Sequence, residues 1–143
     1  MIEAAIEVRN PSASRWFIEP CLRSLGAVSV LRALRTGLEG KDEVKQTGAT
    51  DALYWVYFHP SKDDLSEELA LLNEMMMRIF LETSFVPLHR SIISQLKPKL
   101  MKGSPLFEAV VVKARIHDDE YIKHRVEIQL GLSDGPLRML PTR

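Results

Sequence analysis

Apolar residues recur every three or four positions through most of the chain, which is the spacing of one face of an α-helix. The clearest case is residues 26–58, where a Glu-Gly-Lys-Asp turn separates two such stripes. The stripe positions are Val28, Leu31, Leu34 and Leu38, then Val44, Gly48, Ala49, Ala52, Leu53 and Val56. The segment predicts two amphipathic helices folded back on each other, each with an apolar face that a neighbour must cover.

The same spacing predicts helices over 13–25, 65–82 and 88–100. Their apolar positions are Phe17, Cys21, Leu22 and Leu25, then Leu65, Leu69, Leu72, Met76 and Ile79, then Leu88, Ile92, Leu96 and Leu100. Pro20 lacks a backbone N–H and is predicted to kink or shorten the first of these helices. Residues 65–82 have additional apolar positions beside the stripe, so we expect this helix to be covered on more than one side.

Residues 2–9 and 106–132 fit both a helical and a strand period. Alternation is strictest over 121–132, and β-branched residues are frequent there and in 106–117. Local pattern alone therefore favours a β-hairpin with its turn at His117–Glu120. A helical face also fits residues 106–117, through Leu106, Phe107, Val110, Val111 and Ala114.

Four stretches of the chain resemble one another, and this repetition opposes the hairpin. They begin at Asn10, Lys41, Phe85 and Asp118, and each has a polar or turn-like start, a basic residue and a later leucine. The basic residues are Arg15, Lys45, Arg90 and Lys123, and the leucines are Leu22, Leu53, Leu96 and Leu130. Because an apolar segment precedes each stretch, the pattern indicates repeated helix pairs.

The second stretch resembles the HEAT and HEAT-like (PBS-lyase-type) helical repeat family, with the best match at residues 26–58. An apolar helix is followed by a Gly-Lys-Asp turn and then by Glu43-Val44-Lys45, Gly48-Ala49 and Ala52-Leu53. The family pattern has a Val-Arg pair where this chain has Val44-Lys45. The other stretches depart further, with Trp16-Phe17 and Pro20 in the first, Leu88-His89 in the third and Tyr121-Ile122 in the fourth.

The resemblance implies an all-α fold, a short α-solenoid of about four antiparallel helix pairs forming a single domain over residues 1–132. The alternative is an α+β domain in which 2–9, 108–117 and 121–131 form a small antiparallel sheet under the central helices. Residues 133–143 are predicted to be a C-terminal tail, docked or flexible. Leu137, Met139 and Leu140 favour docking, in cis or in trans.

Composition suits a single globular domain without a membrane segment. The chain has 143 residues with 19 basic and 19 acidic side chains, so net charge indicates neither a nucleic-acid nor a membrane partner. No apolar run approaches the roughly 20 residues of a membrane helix, and the N-terminus lacks a signal-peptide pattern. Cys21 is the single cysteine and is expected to be a small buried hydrophobe. A cytoplasmic protein is expected.

The sequence has no metal or cofactor motif of the His-Glu-x-x-His, Cys-x-x-Cys or glycine-rich phosphate-loop type. We therefore predict no catalytic residue, no metal ligand and no cofactor. The segment from His117 to His124, with three consecutive acidic residues after His117, is the sole candidate for an acid–base or hard-metal site. Its other interpretation is a solvated turn before a helix or between strands.

Local charge is uneven although the total is zero. Residues 62–82 have six acidic and two basic side chains, and residues 84–102 have four basic and none acidic. Either these segments pair across a helix seam, or Arg15, Lys45, Arg90 and Lys123 form a basic stripe along the second helices that meets phosphates or an acidic partner. Trp16 and Trp55 are expected in the core or in helix seams, with stacking on nucleic-acid bases as the alternative.

The predicted function is non-enzymatic: a scaffold or adaptor module that binds another protein on a concave helical face. This prediction depends on analogy at the level of the fold. The alternative is a nucleic-acid-binding helical-repeat domain that uses the basic stripe, and an enzyme using the His117–His124 segment is less favoured. Self-association into a homo-oligomer stays open, and the sequence does not indicate the partner's identity.

Overall fold

A computed structural model describes residues 11–59, 64–97 and 103–129. These ranges contain helices and no strand: α1 Pro11–Leu25, α2 Ala27–Glu39, α3 Glu43–Tyr57, α4 Ser66–Glu82, α5 Val86–Gln95, α6 Pro105–Arg115 and α7 Glu120–Gln129. The prediction of an all-α fold is confirmed for this part of the chain. The predictions for 2–9 and for the tail at 133–143 lie outside the described residues.

The hairpin that local alternation favoured over 106–132 is wrong, and with it the α+β alternative, because α6 and α7 are helices. Helical spacing appears in the buried residues of α6, which are Phe107, Val110, Val111 and Ala114. On α7, Ile122 and Val126 are buried while His124 and Ile128 are exposed. A strand with Ile122 and Val126 inside would bury His124 as well, so only the helical period fits.

The ends of these two helices explain why helix prevails over β-branched residues. The Ser104 hydroxyl accepts hydrogen bonds from the backbone N–H groups of Leu106 and Phe107, and Pro105 occupies the first helical position. At the start of α7 the Asp119 carboxylate accepts from the N–H of Ile122. Capping at both starts satisfies donors that would otherwise stay unpaired, and one apolar face of each helix enters the core.

The predicted helix pair at 26–58 is present as α2 and α3. Both stripes are buried over most of their length, although Val28 is only half-buried and Val44 is 44% exposed. Gly26, at φ 86°, provides the one-residue link from α1 to α2, in a backbone region that favours glycine. Inside the pair, Gln46 donates from Nε2 to the carbonyls of Leu38 and Gly40, which satisfies the end of α2.

Asp42 fixes the start of α3, since its carboxylate accepts from the N–H groups of Val44 and Lys45. We expect Asp42→Ala to lower the free energy of unfolding by about 1 kcal/mol because two helix donors lose their acceptor. Urea unfolding measures this, with the exposed neighbour Lys41→Ala as the control. Equal losses in the two variants would show that the cap contributes nothing.

Of the two effects predicted for Pro20, the shortening of α1 is wrong, because the helix continues for five residues beyond it. Ile18, Cys21 and Leu22 enter the core, so the expectation of a buried cysteine is confirmed. Leu25, which the stripe placed inside, is 56% exposed. Pro20 therefore does not shorten α1.

Contacts between helices follow a regular order. Helices α1, α3, α5 and α7 touch in succession, and α2, α4 and α6 do the same. The two series are joined by contacts of α2 with α1 and α3, of α4 with α5, and of α6 with α7. Helix α4 thus touches α2, α5 and α6, as its broad apolar stripe predicted. None of the described helices combines the length and apolar composition that a membrane span needs.

Candidate interaction surface

The four basic residues predicted to form a stripe lie on α1, α3, α5 and α7, the helices of one contact series. Arg15, Lys45 and Arg90 are exposed, and Lys123 is half-buried. However, the four residues do not lie side by side across the helices, because Arg15 is far along α3 from Lys45. Arg15 lies over the ring of Trp55, with its Cζ 5.2 Å from the ring centroid.

Trp55 is in the last turn of α3, whereas Lys45 is in its first turn. Ten residues of helix separate them, a rise of about 15 Å. Arg15 therefore lies near the opposite end of α3 from Lys45. The start of α1 is at the end of α3, so α1 does not pack on α3 in the same way as α5 does. Between α3 and α5, Asp51 accepts from Ser91 at 2.6 Å, and the Tyr57 hydroxyl donates to the Gln95 carbonyl at 2.9 Å.

Those two contacts show that α3 and α5 run in the same direction, since the later residue of α3 meets the later residue of α5. Burial raises the pKa of Tyr57, so its hydroxyl remains a donor at this seam. Helix α7 continues the arrangement. Arg90 meets Asp119, just before α7, and Ser94 meets the hydroxyl of Tyr121 in α7 at 2.8 Å, so the order is again ascending in both segments.

Three of the four basic residues are paired with carboxylates. Arg15 meets Glu19 at 2.8 Å and Lys123 meets Glu120 at 2.9 Å, each within its own helix. Arg90 donates from Nε and Nη2 to one oxygen of Asp119, at 2.9 and 2.6 Å. The hydrogen bond from Arg90 holds the pKa of Asp119 below its usual value. Paired charges of this kind attract a polyanion less than free ones do.

Within their described parts, the acidic and basic segments at 62–82 and 84–102 do not form the seam pairs that were one of the two alternatives. Glu68 of α4 instead pairs with Arg32 and Arg35 of α2, at 3.0 and 3.5 Å. Glu74 meets Arg78 of its own helix. Glu68 can reach α2 because α4 and α2 are neighbours in the same contact series.

An aromatic stripe follows the outer face of α3. Asp51, Tyr54, Trp55 and Phe58 have helical spacing along this face, while Ala52, Leu53 and Val56 between them are in the core. The Tyr54 ring centroid is 4.8 Å from that of Trp55 and 4.8 Å from that of Phe58. We call Tyr54, Trp55 and Phe58 the aromatic patch.

Exposure of the patch is unusual for side chains of this size. Phe58 is 68% exposed and Tyr54 39%. Trp16, next to Arg15 on α1, is 78% exposed, so the expectation that it lies in the core or a seam is wrong. Trp55 is half-buried against Arg15 and does occupy the seam between α1 and α3. The sequence gives no signal for Trp16, because a tryptophan beside an apolar stripe is usually buried.

The His117–His124 segment does not form a site by itself, since His124 is exposed on α7 while His117 points to α5. His117 Nε2 lies 2.9 Å from Nδ1 of His89, a buried residue of α5. His89 Nε2 in turn lies 2.8 Å from the Thr83 carbonyl and 3.1 Å from that of Phe80, at the end of α4. Sequence reasoning missed this pair, because no motif links histidines 28 positions apart.

Lys113 of α6 completes the cluster. Its Nζ donates to the carbonyls of Phe80 and Leu81 at 2.7 and 3.2 Å and approaches that of Thr83 at 3.4 Å. A cation at the C-terminus of α4 suits the negative end of the helix dipole. Burial lowers the pKa of Lys113, and burial together with the charges of Lys113 and His117 lowers the pKa of His89. Both ring nitrogens of each histidine have partners, so the cluster joins helices and leaves no free base.

Among residues 11–59, 64–97 and 103–129, no group of three or more His, Cys, Asp or Glu side chains is placed to hold a metal ion. The features of the described surface that could bind a partner are exposed aromatic and apolar side chains, and several of the charged residues on that surface are in ion pairs. Searches of protein-family models, of curated proteins and of solved structures found no match to this chain.

Proposed function

We propose that this protein is a non-enzymatic scaffold or adaptor module that binds another protein through the aromatic patch, together with Trp16 of α1. The exposure of Trp16 and Phe58, at 78% and 68%, is the observation that carries the proposal. Tryptophan, tyrosine and arginine dominate the binding energy of protein interfaces, and aromatic side chains lose little conformational entropy on binding. Arg15 and Tyr54 add the same chemistry beside them.

The charges around the patch indicate the kind of partner. Arg15 and Arg90 already have carboxylate partners, and Asp51 accepts a hydrogen bond from Ser91. A partner with a strongly charged surface would have to displace these contacts. The patch therefore suits an apolar, nearly neutral segment of another protein, and the same pairing weighs against the nucleic-acid alternative.

We also propose that the helices form a short α-solenoid of the HEAT-like kind. The two contact series, with α2–α3, α4–α5 and α6–α7 joined as pairs, support this architecture. The parallel course of α3, α5 and α7 fits stacked repeats, and their shared face is then the concave binding face of the proposal. The position of Arg15 at the far end of α3 marks α1 as an atypical member of its contact series.

Binding should depend on Phe58 and not on a comparable apolar residue of the other helix series. We expect Phe58→Asp to weaken partner binding at least tenfold, because a buried unpaired carboxylate would replace an aromatic anchor. Val112→Asp is the matched control, since Val112 is 60% exposed on α6. Quantitative mass spectrometry of proteins retained from a lysate by wild type and both variants measures the effect.

The proposal requires proteins that wild type and Val112→Asp retain and Phe58→Asp loses. Equal retention by all three would contradict it. Retention that falls 10³-fold or more between about 50 and 200 mM salt would indicate nucleic acid instead. Sedimentation of the purified protein is a further control, because a dimer that Phe58→Asp dissociates would make a second copy the occupant.

A further inference from the structure

Hydrogen-bond geometry determines where the protons of His89 and His117 lie. A backbone N–H can only donate, so His117 Nδ1 must accept from Asp119 N–H, 2.9 Å away. A carbonyl can only accept, so His89 Nε2 must donate to Thr83 and Phe80. For two neutral rings, the remaining contact is then His117 Nε2–H donating to His89 Nδ1. The resulting chain of donors and acceptors has no conflict.

An added proton has no place in this chain. On His89 it would occupy Nδ1, which faces the N–H of His117. On His117 it would occupy Nδ1, which faces the N–H of Asp119. Either position sets two donors against each other at 2.9 Å, so either the His89–His117 contact or the His117–Asp119 contact must break.

Two cations lie beside the pair, and the carboxylates beside it already accept hydrogen bonds. Lys113 of α6 is a cation on the same carbonyls, and Arg90 of α5 adds a second positive charge nearby. The Asp119 carboxylate is occupied by Arg90 and by the N–H of Ile122. Glu43 of α3 accepts from the hydroxyl of Thr83, the residue whose carbonyl accepts from His89.

We propose that the His89–His117 pair is a pH-sensitive latch, and that its protonation in mildly acidic solution releases α6 and α7 from α4 and α5. The latch joins four elements at one point: the end of α4 through Thr83, α5 through His89, α6 through Lys113 and the start of α7 through Asp119. This proposal does not depend on the proposed function.

The direction of the effect follows from proton linkage. Burial holds the pKa of His89 below the value of about 6.5 that it has in an unfolded chain. The unfolded or opened state therefore binds more protons in this interval, and the latch stabilises the closed state fully above about pH 6.5. Its contribution is lost as pH falls towards the folded pKa, with the opening equilibrium rising up to about tenfold per pH unit for each proton bound.

Hydrogen exchange measured from about pH 7.5 to 5 tests the latch. Protection factors, corrected for the intrinsic exchange rate, should fall with acid at the Ile122 and Val126 amides of α7. At these α7 amides the protection factors should fall by up to about tenfold per pH unit. At the amide of Leu34 in α2 the fall should be smaller. The double variant His89→Gln/His117→Asn should lose this difference between α7 and α2, because the two new side chains can form hydrogen bonds but do not titrate. His124→Gln should keep it.

A second measurement uses wild type alone, in case the double variant does not fold. Long-range proton–nitrogen NMR at about pH 7.5 should show the ring proton on Nε2 of both histidines. A proton on Nδ1 of His89 at that pH would overturn the proposal. So would acid-independent protection of α7, or a double variant that responds to acid as wild type does.

Discussion

Replacing Phe80 by alanine is expected to lower the free energy of unfolding by about 3–5 kcal/mol. Phe80 lies at the end of α4 with no exposed surface, its ring centroid 4.6 Å from that of His89 and 5.4 Å from the Lys113 ammonium. Truncation leaves a cavity in the place where three helices meet, and the close packing around it cannot collapse fully.

Phe58→Ala is the matched control, since Phe58 is the same residue type at 68% exposure. We expect this variant to change stability by less than about 0.5 kcal/mol, as exposed substitutions usually do. Urea or thermal unfolding of both variants against wild type measures the difference. If the two substitutions cost the same, the assignment of Phe80 to the core and Phe58 to the surface is wrong.

His89→Leu is expected to cost about 2–4 kcal/mol near pH 7.5. Leucine fills much of the space but removes the acceptor of His117 Nε2–H and the closest donor to the Thr83 carbonyl, at 2.8 Å. Each unpaired buried group costs about 1–3 kcal/mol, and the apolar gain of leucine offsets part of that. The Phe80 carbonyl still accepts a hydrogen bond from Lys113, so it stays paired.

The same change at the exposed His124 provides the control. We expect His124→Leu to stay within about 0.5 kcal/mol of wild type. Unfolding at about pH 7.5 and again near pH 5 separates packing from titration, because the cost of His89→Leu should shrink in acid as wild type loses its latch. If His89→Leu lowers the free energy of unfolding equally at both pH values, His89 contributes only through packing and not through titration.

Sequence periodicity was sufficient to predict helices where a single period fitted the apolar residues and turn or capping residues marked the helix ends. At 26–58 the stripe, the glycine turn and Asp42 all agreed, and α2 and α3 lie where they were predicted. Over 106–132 the helical and strand periods competed, and β-branched residues favoured the wrong one. The capping residues Ser104 and Asp119 were present in the sequence, but the alternating pattern does not take account of them.

Side-chain placement across helices could not be predicted in the same way. The His89–His117 contact depends on how α5 meets the turn before α7, and the exposure of Trp16 depends on how α1 lies on α3. Neither depends on local spacing. The basic residues Arg15, Lys45, Arg90 and Lys123 stay a predicted binding set, but three of them have acidic partners that a one-dimensional pattern does not indicate.

The most direct test of the proposed interaction surface is site-specific photo-crosslinking. Benzoylphenylalanine at position 54 replaces a 39% exposed tyrosine of the aromatic patch, and the same group at position 112 replaces a 60% exposed valine of α6. We predict that a defined protein partner is captured from position 54 and not from position 112. Capture from position 112 alone, or equally from both positions, would contradict binding through the aromatic patch.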